Sequence, residues 1–322
     1  MKTPLKTYIS LFPHGLMFHR FHRAGGPPGG TGSLTPEEFD RILLFVGIGN
    51  ILQPDEWLNR LTENRLQNQD LCITLDDGLR AQYDICLPVL EKYGLKAFWF
   101  IFSAVFEEDG AGKFEIYNRF SAQYFPDMNV FAENFLARCP QPLRKHLKGN
   151  EFLQYAARTQ AMHPFYSMND LKFRFMRNQL LSQKEFEAIL DTMIAEKGLT
   201  PSELGKGLWM TNAELKSLSL KGHRMGLHSY SHPVQFSNLS FQDQENEYRK
   251  NYDHIKSVCG QEIVTMSYSI NSYNEDTLKV LSRLGIRCGF RSTMAAPSGK
   301  SVNPNGLELA REDSVNILKM MF

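Results

Sequence analysis

The stretch Ile73-Thr74-Leu75-Asp76-Asp77-Gly78 ends an apolar run on two adjacent acids and a glycine. An ordinary turn looks much the same, because Asp and Gly both favour turns. A turn needs only one acceptor, however, and two carboxylates in contact repel unless a cation or a proton relieves them. Two readings therefore stand for the fragment alone: a turn or cap, or a pair of acids with divided roles. The flanks bear on the choice. Residues 71–76 read as a buried strand, 80–93 as a helix with Pro88 in it, and 96–102 (Lys-Ala-Phe-Trp-Phe-Ile-Phe) as another buried strand. Strands with few polar residues, joined by a helix, are the pattern of a parallel sheet.

The same rhythm extends along the chain. Residues 15–18 form a short apolar strand followed by His19 and His22, and Ala24 to Gly32 can only be a loop. That loop lacks the lysine and spacing of a phosphate cradle, so a lid or connector is expected. Thr35, Pro36 and Glu38 then signal a helix start with a capping box. Between 107 and 206 charge and helical periodicity increase. Within 171–194 the apolar residues recur every three to four positions, as in an amphipathic helix or pair, and Lys172, Arg174 and Arg177 form a basic stripe. Such a stripe is either a solvated face or a hold for the phosphate of a substrate carrier. After Trp209 the alternation returns: helix 211–220, strand 223–228, helix 240–258, strand 262–268, helix 274–284 and strand 286–291. The expected organisation is one parallel α/β domain, 1–106 with 207–322, interrupted by a helical insertion at 107–206 that serves as substrate cap or protomer contact through which a homo-oligomer could form.

Composition narrows the function classes. The 322 residues, 42% of them hydrophobic, can bury a sizeable core, and a formal net charge of +1 provides no global field for nucleic acid or an anionic membrane. Five cysteines without C-x-x-C spacing, several in apolar runs, read as buried free thiols of a reducing compartment. No apolar segment suits a signal peptide or a membrane span, so a soluble, cytoplasmic protein is expected.

A second informative stretch, Gly222-His223-Arg224-Met225-Gly226-Leu227-His228-Ser229-Tyr230-Ser231-His232-Pro233, places two histidines four apart at a strand end. A lone histidine is more often a satisfied core residue; two converging imidazoles beside a carboxylate from another strand end suit a divalent ion with open positions. At this point the two stretches together resemble the first two motifs of the polysaccharide deacetylases, the NodB-homology family also called carbohydrate esterase family four. Asp84 to Gly94 resembles that family's first helix, Leu16 to Arg20 its opening strand, and Ser267-Tyr268 with Ser272-Tyr273-Asn274 its third motif. The resemblance covers roughly 14–106 and 207–313 and leaves the insertion outside.

The resemblance implies a distorted (β/α) barrel with its site at the carboxyl ends of the strands. It also implies that Asp77, His228 and His232 bind one divalent metal ion, zinc foremost, with Co, Ni, Mn or Fe as other occupants, and that Asp76 is the general base. This chain departs from the family pattern in two places. The third motif has Met266-Ser267-Tyr268-Ser269 where an arginine and a proline are usual, and Arg311 is the substitute expected to orient Asp76, a surface salt bridge being the alternative. The late histidine that supplies a general acid is replaced by Ala310, and His19 is nominated in its place, against a structural hydrogen bond to the following loop. Tyr268, His22 and Asp313 are expected to contact substrate. The expected activity is metal-dependent removal of an N-acyl group, acetyl first and formyl as an alternative, from a nucleotide- or lipid-linked amino sugar on the way to a surface polysaccharide such as lipopolysaccharide. The competing expectation is a catalytically silent carbohydrate-binding barrel.

Overall fold

The seven strands β1 (His14–Phe18), β2 (Leu71–Asp76), β3 (Phe98–Ile101), β4 (Arg224–Leu227), β5 (Thr265–Ser267), β6 (Cys288–Phe290) and β7 (Arg311–Asp313) are parallel neighbours in the order β6-β5-β4-β3-β2-β1-β7. In the computed structural model, which describes residues 8–27, 29–30, 32–108, 111–162 and 166–322, Phe290 also bridges Leu309, just ahead of β7. The sheet therefore curls into a nearly closed barrel of the NodB type. The expectations that fall on residues 1–7, and on Pro28 and Thr31 in the glycine-rich loop, lie outside the described residues.

Strand alternation sorts side chains between the barrel's two faces. On β2, Leu71, Ile73 and Leu75 pack outward with Leu16, Phe18, Trp99 and Ile101 against the helices. Cys72, Phe98, Phe100, Cys288, Phe290 and Leu309 pack together with Trp57 as a separate, inward cluster. By the same alternation Thr74 and Asp76 point inward, above that apolar floor. Gly15 leaves room for the inner layer, because a Cβ there would lie 3.0 Å from Arg311 Cγ and 3.2 Å from Thr74 Cγ2.

The described residues form two compact units: one within 1–26, 32–112 and 207–322, the other within 27–31 and 113–206. Residues 104–108 stay with the first unit, tied by Ala104 N–H to Tyr230 O and by the Tyr230 hydroxyl to Glu107 and Glu108, so the structural boundary falls a few residues later than sequence character suggests. The second unit is helical. Its core is aromatic, with Phe135 4.9 Å from Phe173 and 5.6 Å from Phe186, ring centre to ring centre. The periodic stretch 171–194 is a pair of helices, Met168–Phe175 continuing into the wide turn Met176–Leu180, then Gln183–Ala195 behind the Ser182 cap. No helix among the described residues is long and apolar enough to cross a membrane.

One histidine of the second motif is structural. His223 Nδ1 accepts the N–H groups of Ala97 and Trp99 Nε1, each at 3.1 Å, which places its own proton on Nε2. Burial, with Lys96 adding to it, pushes this imidazole down from 6.5 to about 4. Between those pH values the unfolded chain binds the proton and the folded chain does not, so stability is lost as pH falls through the window, by at most about 3 kcal/mol. Denaturant unfolding of His223→Gln should show a shallower fall between pH 6.5 and 4 than the native chain; equal slopes would contradict the assignment.

Candidate active site

The acid pair stands where β2 ends. Asp76 closes the strand, whereas Asp77 adopts φ 76° and Gly78 φ 70°, a left-handed turn that throws consecutive side chains in different directions. Ser229 (φ 64°) and His232 (φ 57°) do the same after β4. Left-handed conformations at non-glycine residues cost on the order of 1 kcal/mol each and persist where surrounding bonds impose them. Here Glu247 supplies such bonds, accepting from the N–H groups of Tyr230 and Ser231 and from Ser231 Oγ.

Three donors converge as a result. Asp77 Oδ1 lies 3.4 Å from His228 Nε2 and 3.5 Å from His232 Nε2, and one ligand atom from each residue falls within 4.8 Å of the others. His228 Nδ1 is held at 2.9 Å from Ser267 O and 2.7 Å from Ser267 Oγ, which fixes the ring so that Nε2 faces Asp77. Burial lowers the His232 imidazole to about 4, helped by neighbouring His228, so it stays neutral with a lone pair to offer. Burial acts on His228 in the same sense, but Asp76 and Asp77 outweigh it and the net direction is upward. The donor set, two imidazoles and a buried carboxylate held low by the histidines against the effect of burial, fits a divalent ion of borderline softness.

The second acid is engaged differently. Arg311 Nη1 and Nη2 donate to Asp76 Oδ1 and Oδ2, both at 2.7 Å, with neither side chain more than 2% exposed. Arg311 Nε donates to Arg291 O at 2.7 Å, so the fork is braced from behind. Burial would raise the Asp76 carboxyl, yet Arg311 and His228 prevail and hold it below the usual carboxylate range. His19 Nε2 sits 3.6 Å from Asp76 Oδ2 on a side chain 30% exposed, the open side of the pair. The nominated residues Asp76, Asp77, His228, His232, Arg311 and His19 are thus brought together at one end of the barrel.

Three nominated residues are not part of this cluster. Tyr268 is fully buried, donates its hydroxyl to Leu307 O at 2.8 Å and stacks on Tyr273 with ring centres 4.1 Å apart, so it cannot meet a substrate. His22 Nδ1 bonds Ser33 Oγ at 2.8 Å, the structural alternative for a histidine before that loop. Asp313 caps the last helix, Ser314–Met321, accepting from Val315 N–H at 2.8 Å. Two further residues, Asn251 and Gln82, brace the site without standing out in the sequence. Asn251 accepts the His228 N–H at 2.9 Å and donates to Ile101 O and Ser103 Oγ, and Gln82 donates to His19 O at 2.7 Å and Asp76 O at 2.5 Å. A signal for Asn251 exists: the buried stripe Gln244, Tyr248, Asn251, Ile255 of helix Phe241–Cys259 carries two amides where apolar residues are the rule.

Comparison with known proteins bears on the fold and on the histidine segment. The sequence model of the family described as polysaccharide deacetylase matches residues 186–289, a segment that includes His228 and His232 and not Asp76 or Asp77. No curated protein matches the chain by sequence. Among solved structures, the Streptococcus pyogenes deacetylase PplD in complex with acetate aligns with a TM-score of 0.55 at 16% identity, covering 97% of this chain and 99% of that one. IcaB from Ammonifex degensii aligns with a TM-score of 0.54 at 13% identity, covering 98% of each. The BpsB deacetylase domain from Bordetella bronchiseptica aligns with a TM-score of 0.53 at 11% identity, covering 94% and 96%. At these identities the likeness is one of fold.

Proposed function

We propose that this chain, related to the polysaccharide deacetylases through its fold and its histidine segment, hydrolyses the N-acyl amide, acetyl first, of an amino sugar. The observation that carries the reading is the division of labour at the end of β2, where Asp77 joins two histidines as a three-donor cluster while Asp76 is anchored by Arg311.

A divalent ion held by Asp77, His228 and His232 would supply Lewis acidity to the amide carbonyl and lower the pKa of nearby water. Asp76, kept ionised by Arg311, accepts the proton of the attacking water. The water oxygen bonds the acyl carbon, the C–N bond breaks, and His19, on the open side of Asp76, delivers a proton to the leaving nitrogen. Carboxylate and free amine are the products. Arg311 and Ser267 Oγ, 3.2 Å from Asp76 Oδ1, occupy the other faces of that carboxylate, so one lone pair remains for catalysis. Zinc is the first occupant to test, and Co, Ni, Mn and Fe follow, since imidazole and carboxylate accept them as well. Five free cysteines, four of them buried, support a reducing, cytoplasmic setting and hence a nucleotide- or lipid-linked precursor as substrate.

The test is acetate release from a nucleotide-linked N-acetylamino sugar, a lipid-linked one and N-acetylglucosamine oligomers, each with and without added zinc, with N-formyl analogues alongside. Zinc-dependent release from at least one is expected. Protein that binds the ion yet releases no acyl group from any of them would favour a silent carbohydrate-binding barrel.

A further inference from the structure

The helical unit carries an arginine that the proposed hydrolysis does not use. Arg177 lies in the wide turn Met176–Leu180, a helical distortion of the sort found at functional positions. Its Nε donates to Asn178 Oδ1 at 2.7 Å, and its Cζ lies 5.3 Å from the ring centre of Phe114 and 5.7 Å from that of Phe173. No carboxylate among the described residues pairs with it. The nearby acid, Asp170, is taken by Arg174 Nε at 2.8 Å, and Arg174 itself stacks 3.8 Å over the Tyr166 ring. Burial, with Arg174 adding to it, lowers the Arg177 guanidinium to about 10.

An unpaired cation in such a place is costly. Stacking on two aromatic rings returns about 0.5–2 kcal/mol each, but it engages the faces of the guanidinium and leaves both Nη groups without an acceptor among the described residues. The groups around it are donors as well. Asn178 Nδ2 donates to Tyr155 Oη at 3.2 Å, which leaves the Tyr155 hydroxyl hydrogen free for an acceptor, none being present among the described residues. Arg174, Arg177 and Asp170 together leave a surplus of positive charge. A planar fork, a hydroxyl and a second guanidinium offer more donors than the two oxygens of a carboxylate absorb, whereas a phosphoryl group presents three acceptor oxygens and nearly two negative charges.

We propose that Arg177, Asn178 and Tyr155, with Arg174 at the edge, form a binding site for a phosphoryl group on the helical unit. The site stands apart from the hydrolysis reading, since its ligand needs no acyl group. It is tested by calorimetric titration of the full chain with inorganic pyrophosphate, uridine diphosphate and geranyl diphosphate, with acetate as the monocarboxylate control. Saturable binding of diphosphates and none of acetate is expected. Arg177→Met should weaken it at least tenfold while leaving the ligand-free melting temperature unchanged or raised, because an unpaired charge is removed. Tyr155→Phe, which preserves the ring, should weaken it several-fold and serves if Arg177→Met does not fold. Tighter binding of uridine diphosphate than of pyrophosphate assigns a nucleotide source, and tighter binding of geranyl diphosphate a lipid one. Absence of saturable binding by all three, or equal binding by the native chain and both variants, would overturn the proposal.

Discussion

Arg311→Met is expected to destabilise the chain by about 3–5 kcal/mol, because it strands a buried carboxylate without its partner. Asp76 is 2% exposed and Arg311 1%, so neither charge can turn to water. The loss should be largely recovered in the double variant Arg311→Met with Asp76→Leu, since an apolar pair of similar volume has no charge to compensate. Both proteins should lack amide hydrolysis. Denaturant unfolding followed by circular dichroism, alongside an acetate assay, separates the two effects. A single-variant loss below about 1 kcal/mol, the range of an exposed ion pair, would contradict the buried fork.

Asp76→Asn is expected to lower kcat by about 10²–10⁴ with little change in KM, the range for removing a positioned general base. Arg311 holds the native carboxyl low, so Asp76 itself should stay ionised in mildly acidic buffer. Arg311→Lys keeps a positive charge and loses the two-point fork. It should raise the Asp76 carboxyl and shift the acid limb of kcat to higher pH. Asp76→Asn protein that is folded and retains native kcat would remove Asp76 from the base role.

Much of the barrel is legible in sequence because parallel strands buried on both faces read as near-continuous apolar runs. Leu71 to Leu75 and Phe98 to Ile101 are of this kind. β7 is the opposite case. Its residues are Arg311, Glu312 and Asp313, a run that looks like solvated surface, and it enters the barrel because Arg311 meets Asp76 from the other end of the chain. Local pattern carries no trace of a partner that distant; Arg311 is reached only through the missing arginine of the resembled third motif. Helix Pro54–Thr62 is absent from the sequence expectation although Pro54, Asp55 and Glu56 mark a start for it; its core contribution, Trp57, faces the barrel's inner cluster. The acid pair and the two histidines were legible because their spacing is unusual and each lies at a strand end. Tyr268 was not, because alternation places a residue on one of two faces without saying which is open, and stacking on Tyr273 decides it.

A divalent ion held by Asp77, His228 and His232 can be counted directly. Elemental analysis of purified protein, after incubation with zinc and gel filtration, tests for it without reference to any substrate. About one ion per chain is expected for a site of this kind, falling to background in His228→Ala and Asp77→Ala while Arg177→Met retains it. No bound ion in the native chain with Zn, Co, Ni or Mn, or retention of the ion in both ligand variants, would contradict a metal site at these three residues.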